Sequence, residues 1–396
     1  MDTVVAAPHA LIDRAIAGPT QVRVRAGRIV DVRAGHPDSS CLEGGLLTPG
    51  LIDIQINGAV GVDFAEVTDR DMCRVAGWLP TTGVTRFLPT LITAPVSDLL
   101  TQASAVLAAS AALPGGSGAI PLGVHLEGPF LSSVRHGVHE AALMVDPTEA
   151  EIERIITDPV VASGLRMLTL APERTGALAA IRTLVTAGVL VSVGHTDATA
   201  AQTRAAADAG ARMITHLFNA QRGLGHREPG VPGAAFSDHR FTLGLIADLA
   251  HVAPDVCKLV FQVAGDRVAL VTDAVAAAGM PPGHYQLGGQ DVLLTGDGVP
   301  RSADGTIAGS ALTLDRAVRN IVSLGVDPAV ALSAATITPA DTIGEPSLGR
   351  LEPGAVADLV WWDENLHPKR VWTAGQVVYD AETADYEAPA VALPAH

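Results

Sequence analysis

Two histidines invite a chemical reading of this chain. His195 closes the apolar run VLVSVGH and His216 closes ITH, and between them lies an Ala-rich segment that ends at Gly210. Strand, helix, strand is the natural parse, with Thr196 or Asp197 available to cap the helix and Gly210 suited to the position just past its end. A single histidine at a strand end is more often a packing residue than a ligand, so the weight falls on what accompanies the pair. Glu127 ends the apolar run of LGVHLE, and Asp273 ends VALVTD. Glu127, His195 and His216 offer one carboxylate and two imidazoles, and two nitrogens plus one oxygen with an open fourth place is a catalytic zinc arrangement. Asp273 follows wholly apolar residues, where a charge must be paired, bound to metal or used in proton transfer; the competing reading is an N-cap on the next segment. His125 shares a strand face with Glu127 by the two-residue period and is expected to hydrogen-bond within the same mouth rather than to ligate. Gln55 and Asn57 end an earlier strand, and Asp248 and His251 follow a later one.

These residues can meet only if the strands carrying them share one edge of one sheet. Apolar runs at 51–56, 85–91, 122–126, 166–170, 189–193, 212–215, 242–246 and 268–272 read as strands alternating with helices. The alternation predicts an α/β fold, a TIM-like (β/α)8 barrel with its chemistry at the C-terminal mouth. No glycine-rich phosphate fingerprint follows the first strand, which argues against a doubly wound nucleotide fold. Asp146-Pro147-Thr148-Glu149 offers an N-cap, an N1 proline and an N3 glutamate, and Gly188, Gly210 and Gly265 stop helices. Residues 279–310 break the rhythm as an inserted β ribbon and a loop, after which helices resume at 312–324 and from Asp327. At the N-terminal end 21–35 is a hairpin pattern around Ala26-Gly27, and 354–362 with 370–379 reads as strands with a turn at Ala374-Gly375. One hairpin is unstable alone, so the two ends are expected to form a small β-sandwich domain, 1–48 plus 344–396, around a barrel spanning 49–343.

The chain has 396 residues, 48% of them hydrophobic, and a formal net charge of −16. Scarce Lys and Arg without a basic run exclude nucleic acid and anionic membrane as expected partners, while an anionic small molecule needs only a locally basic pocket. Cys41, Cys73 and Cys257 are far apart and lack CxxC spacing, which argues against a disulfide framework or thiolate metal site and fits a reducing, cytoplasmic setting. No signal peptide and no membrane span are expected.

The motifs PGLIDIQINGAVGVDF, HLEGPFL, VGHTDAT, THLFNAQ, HREPG, LIADLAHV, LVTDAV and GTIAGS, in this order over about 48–342, resemble the N-acetylglucosamine-6-phosphate deacetylase family of the amidohydrolase superfamily. The resemblance implies metal-dependent hydrolysis of N-acetylglucosamine 6-phosphate to glucosamine 6-phosphate and acetate. It implies that Glu127, His195 and His216 hold the metal, most simply Zn2+, that Asp273 is the acid/base, and that His139 faces the acetyl carbonyl. It further assigns Asn219, Ala220 and Arg227 to the sugar phosphate, His251 to sugar hydroxyls, and Val138 with Thr306, Ile307 and Ala308 to the pocket wall. Many superfamily members open with His-x-His and bind two ions. Here Gln55-Ile56-Asn57 stands instead, and amides are poor zinc ligands beside imidazole, so one tightly held ion per chain is expected, with a second weak or absent. Arg135 and His136 read as a solvated basic loop. The resemblance also suggests a homodimer. The competing functions are another amidohydrolase, acting on a cyclic amide or an N-acyl amino acid, and a non-catalytic barrel scaffold.

Overall fold

The computed structural model describes residues 2–35 and 42–383. Eight parallel strands form the centre: β1 (Leu51–Ile56), β2 (Val84–Ile92), β3 (Val124–Glu127), β4 (Leu165–Leu170), β5 (Leu190–Val193), β6 (Met213–Ile214), β7 (Thr242–Ile246) and β8 (Val268–Val271). Ladders join them in sequence order from β1 through β8. The ring closes between β8 and β1 through a single parallel bridge, Ile56 to Ala274. Every residue of β1 and β2 is buried, as a parallel sheet covered by helices outside and packed side chains inside requires. The eight predicted strands are all present, with ends moved by at most two residues.

Helix starts show where tertiary contacts override local capping. The helix Glu149–Thr157 is capped by the Thr148 hydroxyl, which accepts from Glu151 N–H, and not by Asp146, whose carboxylate is taken by Arg174 at 2.8 Å. The helix after β5 begins at Ala200, with Thr199 and Gln202 forming a reciprocal capping box. Thr196 and Asp197 are already committed, the first as a donor to Glu173 and the second to two arginines. Gly210 ends that helix with φ of 119°, a conformation glycine adopts without strain. The expected ribbon forms at Gly283–Leu287, Gln290–Leu294 and Pro300–Arg301.

Strands from both chain ends build two further sheets. In the six-stranded one, Leu359–Trp362 pairs with Leu46–Pro49 on one side and Pro368–Thr373 on the other. Thr3–Ala7, Thr20–Arg25 and Arg28–Ala34 make the second sheet, and the two share an apolar cluster containing Val22, Ile29, Leu47, Leu359 and Trp372. Arg86 of β2 fixes these sheets to the barrel through a two-pronged pair with Asp358, at 2.6 and 3.1 Å, both side chains nearly buried. Among the described residues Cys73 and Cys257 are free thiols; Cys41 lies outside them. No helix of the described residues is long and apolar enough to cross a membrane.

Candidate metal centre and active site

Glu127 is the last residue of β3, and His195, His216 and Asp273 each stand two residues beyond the ends of β5, β6 and β8. Those three have positive φ, 45°, 26° and 49°. Non-glycine residues hold such angles only where their surroundings impose them, and here the turn swings each side chain off the strand path into the mouth. Glu127 Oε1 lies 3.0 Å from His216 Nε2 and 3.3 Å from His195 Nε2, and the two nitrogens are 3.1 Å apart. Ligand atoms about 2.0–2.1 Å from a tetrahedral zinc stand about 3.3 Å from one another, so the triangle matches one face of such a site.

His195 Nδ1 faces the Arg135 carbonyl at 3.1 Å and must donate to it, which turns Nε2 toward Glu127 and His216. The charges and hydrogen bonds of His195 and His216 hold Glu127 well below the usual carboxylate range even though burial works the other way. His216 is raised: burial opposes its charge, but Glu127 and then Asp273 outweigh it.

His139 also comes close, with Nε2 4.0 Å from Glu127 Oε2, and forms an alternative ligand cluster with Glu127 and His195. Thr93 meets His139 Nδ1 with its hydroxyl at 2.8 Å and its backbone N–H at 3.3 Å, which fixes the ring with Nε2 toward Glu127. Burial and the neighbouring His195 push its pKa well down, keeping the ring neutral. Gly137 lets this loop pass the centre, because a Cβ there would meet His195 Cε1 at 3.2 Å with φ at +59°.

Asp273 is held from one side. Asn57 Nδ2 donates to its Oδ1 at 2.7 Å, and Gln55 Nε2 donates to the same oxygen at 3.3 Å and to Glu127 Oε1 at 3.2 Å. Burial and the nearby Glu127 charge push Asp273 up to about 6, within the range useful for proton transfer near neutrality. His125 lies deeper: Thr90 Oγ1 at 3.1 Å and Thr169 Oγ1 at 2.8 Å occupy both ring nitrogens, and burial drives its pKa down to about 4.

A cavity of about 350 Å³ opens above the centre. Val138, Asn219, Ala220, His251, Thr306 and Ile307 line it, as do Asn57, Glu127, His139, His195, His216 and Asp273. His251 Nδ1 bonds to Asp248 Oδ2 at 2.7 Å, which fixes its ring at the cavity wall. Ala308 is wholly buried beside the wall, where Gly309 lines instead. Arg227 stands apart: it is exposed, on the loop after Gln221, and is not among the lining residues. Arg135, expected as solvated loop, lines the cavity and pairs with Asp197 at 2.9 Å. Ile92, Ile246 and Leu287 form the apolar wall. Leu287 belongs to the inserted ribbon, whose position over the mouth has no local signature in sequence.

Residues 46–379 match the amidohydrolase family. The chain is 41% identical over 359 residues to the N-acetylgalactosamine-6-phosphate deacetylase of Escherichia coli O157:H7, covering 90% of this chain and 94% of the relative. It is 38% identical over 351 residues to the N-acetylglucosamine-6-phosphate deacetylase of Vibrio furnissii, covering 88% and 87%. Among solved structures, a mutant of the Mycobacterium smegmatis N-acetyl-D-glucosamine-6-phosphate deacetylase in complex with N-acetyl-D-glucosamine-6-phosphate superposes with a TM-score of 0.89 at 39% identity, covering 95% of this chain and 99% of that one. The chain therefore belongs to the amidohydrolase family, among its amino-sugar-phosphate deacetylases.

Proposed function

We propose that this protein hydrolyses the N-acetyl amide of N-acetylglucosamine 6-phosphate, giving glucosamine 6-phosphate and acetate. The observation that carries the reading is the close triangle of Glu127 Oε1, His195 Nε2 and His216 Nε2 in a buried mouth that also holds Asp273. These three residues would hold one divalent ion, which we assign as Zn2+. Such an ion supplies Lewis acidity and lowers the pKa of a bound water from about 15.7 to about 7.

The chain's own groups meet the other demands of amide hydrolysis. Asp273 Oδ1 is fixed by two amide donors, which leaves Oδ2 to take the proton of the attacking water and return it to the departing nitrogen. His139, in the tautomer that carries its proton on Nε2, would donate to the carbonyl oxygen as negative charge develops, a contribution of about 3–4 kcal/mol in comparable sites. The His251 ring at the wall is assigned to a sugar hydroxyl. Asn219 and Ala220 at the wall and Arg227 on the exposed loop are assigned to the phosphate, for which a guanidinium offers matched paired donors. Gln55 and Asn57 offer only amide oxygens, poor zinc ligands beside imidazole, so we assign one ion per chain. We assign a homodimer as the working assembly.

An amine-release assay over N-acetylglucosamine, N-acetylglucosamine 6-phosphate and N-acetylgalactosamine 6-phosphate, with and without chelator, tests the proposal. Fastest chelator-sensitive turnover on N-acetylglucosamine 6-phosphate is expected. A stronger preference for the galactose epimer would reassign the substrate, and activity only on a cyclic amide or an N-acyl amino acid would overturn it.

A further inference from the structure

The barrel has a weak seam, and Asp273 stands on it. Seven neighbouring strand pairs are joined by ladders. Between β8 and β1 the backbone supplies the Ile56–Ala274 bridge, with Asp273 N–H donating to Gln55 O at 2.8 Å and Asn57 N–H to Ala274 O at 2.7 Å. One level deeper a side chain does the joining. The Asp53 carboxylate, wholly buried on β1, accepts from Thr272 N–H through Oδ1 at 3.2 Å and from the Thr272 hydroxyl through Oδ2 at 2.5 Å. Oδ1 also faces Gln55 N–H at 3.4 Å.

Asp53 has no cationic partner among the described residues, and burial pushes it up to about 7. A carboxyl in such a place is costly, and an apolar residue would pack there without that cost. What the carboxyl adds is direction. Thr272 Oγ1 donates to Asp53 and accepts from Ala274 N–H at 3.1 Å, so the hydroxyl links the Asp53 carboxyl to the turn that carries Asp273. On the opposite flank Ser310 Oγ donates to Thr272 O at 2.6 Å, and Ser310 N–H donates to Asp273 O at 2.8 Å. The residue between these clamps, Asp273, is held at φ of 49°, a conformation that persists only where neighbours over-determine it.

We propose that Asp53 and Thr272 are positioning residues for Asp273: their buried carboxyl–hydroxyl pair replaces the missing strand pairing at the seam and fixes the backbone turn that aims Asp273 into the mouth. Neither side chain lines the cavity, so they act through Asp273, and the proposal rests on the proton-transfer role assigned to that residue. Loosening the turn should lower kcat while leaving substrate affinity and ion binding intact, because the three proposed ligands stand on β3, β5 and β6.

The test compares Thr272→Val, which keeps shape and removes the hydroxyl, with Thr272→Ser, which restores it, and with Asp273→Asn. Misplacing a reacting group by about 1 Å costs up to about a hundredfold. For Thr272→Val we expect kcat lower by about ten- to a hundredfold, with KM and ion content within about twofold of the parent and recovery in Thr272→Ser. Asp53→Asn, which sets an amide N–H against the Thr272 hydroxyl, is expected to show the same pattern, and it carries the test if Thr272→Val does not fold. Parental kcat in Thr272→Val and in Asp53→Asn, with Asp273→Asn inactive, overturns the positioning role alone. Loss of ion and activity together without recovery in Thr272→Ser also overturns it, by reducing the pair to general support. Parental kcat in Asp273→Asn removes the catalytic reading beneath it.

Discussion

Replacing Asp273 with asparagine isolates the proton-transfer step. The amide has the same outline, and its oxygen can keep the place of Oδ1, where Asn57 Nδ2 donates at 2.7 Å and Gln55 Nε2 at 3.3 Å. The change falls on the other atom, an NH2 that cannot accept a proton. Glu127, His195 and His216 are untouched, and their 3.0–3.3 Å triangle does not include position 273, so ion content should hold at the parental level. A positioned general base contributes about 10²–10⁴ in rate, or about 2.7–5.4 kcal/mol at 1.36 kcal/mol per decade. The expected result is that loss in kcat with KM nearly unchanged, since a group acting only in the transition state lowers kcat and kcat/KM together. The assay is acetate release from N-acetylglucosamine 6-phosphate, with metal analysis on the same preparation. A kcat within tenfold of the parent, ion content unchanged, would refute the role of Asp273. A matching loss of ion would instead place Asp273 among the ligands.

Metal analysis of the purified protein should return about one zinc-like ion per chain, falling to near none in His195→Ala; two tight ions would contradict the reading of Gln55 and Asn57 as too weak to hold a second ion. Asp273 must be ionised to accept a proton, so kcat/KM should fall as pH drops through its pKa. Because that value is raised to about 6 and a nearby cation can only lower it, the acid limb belongs at or below about pH 6, and a limb above pH 7 would count against this base. Arg227→Ala should raise KM for the phosphorylated sugar by about tenfold or more and leave the unphosphorylated sugar nearly unaffected, as expected for a charge-assisted contact of about 1.5–3 kcal/mol; equal effects would remove Arg227 from the phosphate site. Arg86→Met leaves Asp358 buried without its partner and should cost about 3–5 kcal/mol in urea unfolding; a change under about 1 kcal/mol would show that the pair does not tie the end sheets to the barrel.

The barrel was legible because its signal is carried by runs: a strand buried on both faces shows as uninterrupted apolar residues, and the polar residue that ends each run falls at the mouth. Glu127, His195, His216 and Asp273 all stood out this way. Local chemistry alone misjudged the caps of two helices, since Asp146 is drawn off by Arg174 and Asp197 by Arg135 and Arg222, partners distant in sequence. The same long-range pairing hid Arg135, whose side chain is anchored by Asp197 and whose carbonyl orients His195. Asp53 shows the limit most sharply. Within PGLIDIQ it reads as one polar residue in a strand, and nothing near it in sequence indicates that its partner is Thr272, 219 residues away. Only closing the ring brings β1 against β8, and the contact between the first and last strands of a barrel is the one that local patterning carries no information about. A residue needed at that seam therefore looks in sequence like an ordinary break in an apolar run, while in the folded chain it stands directly behind the group proposed to move the proton.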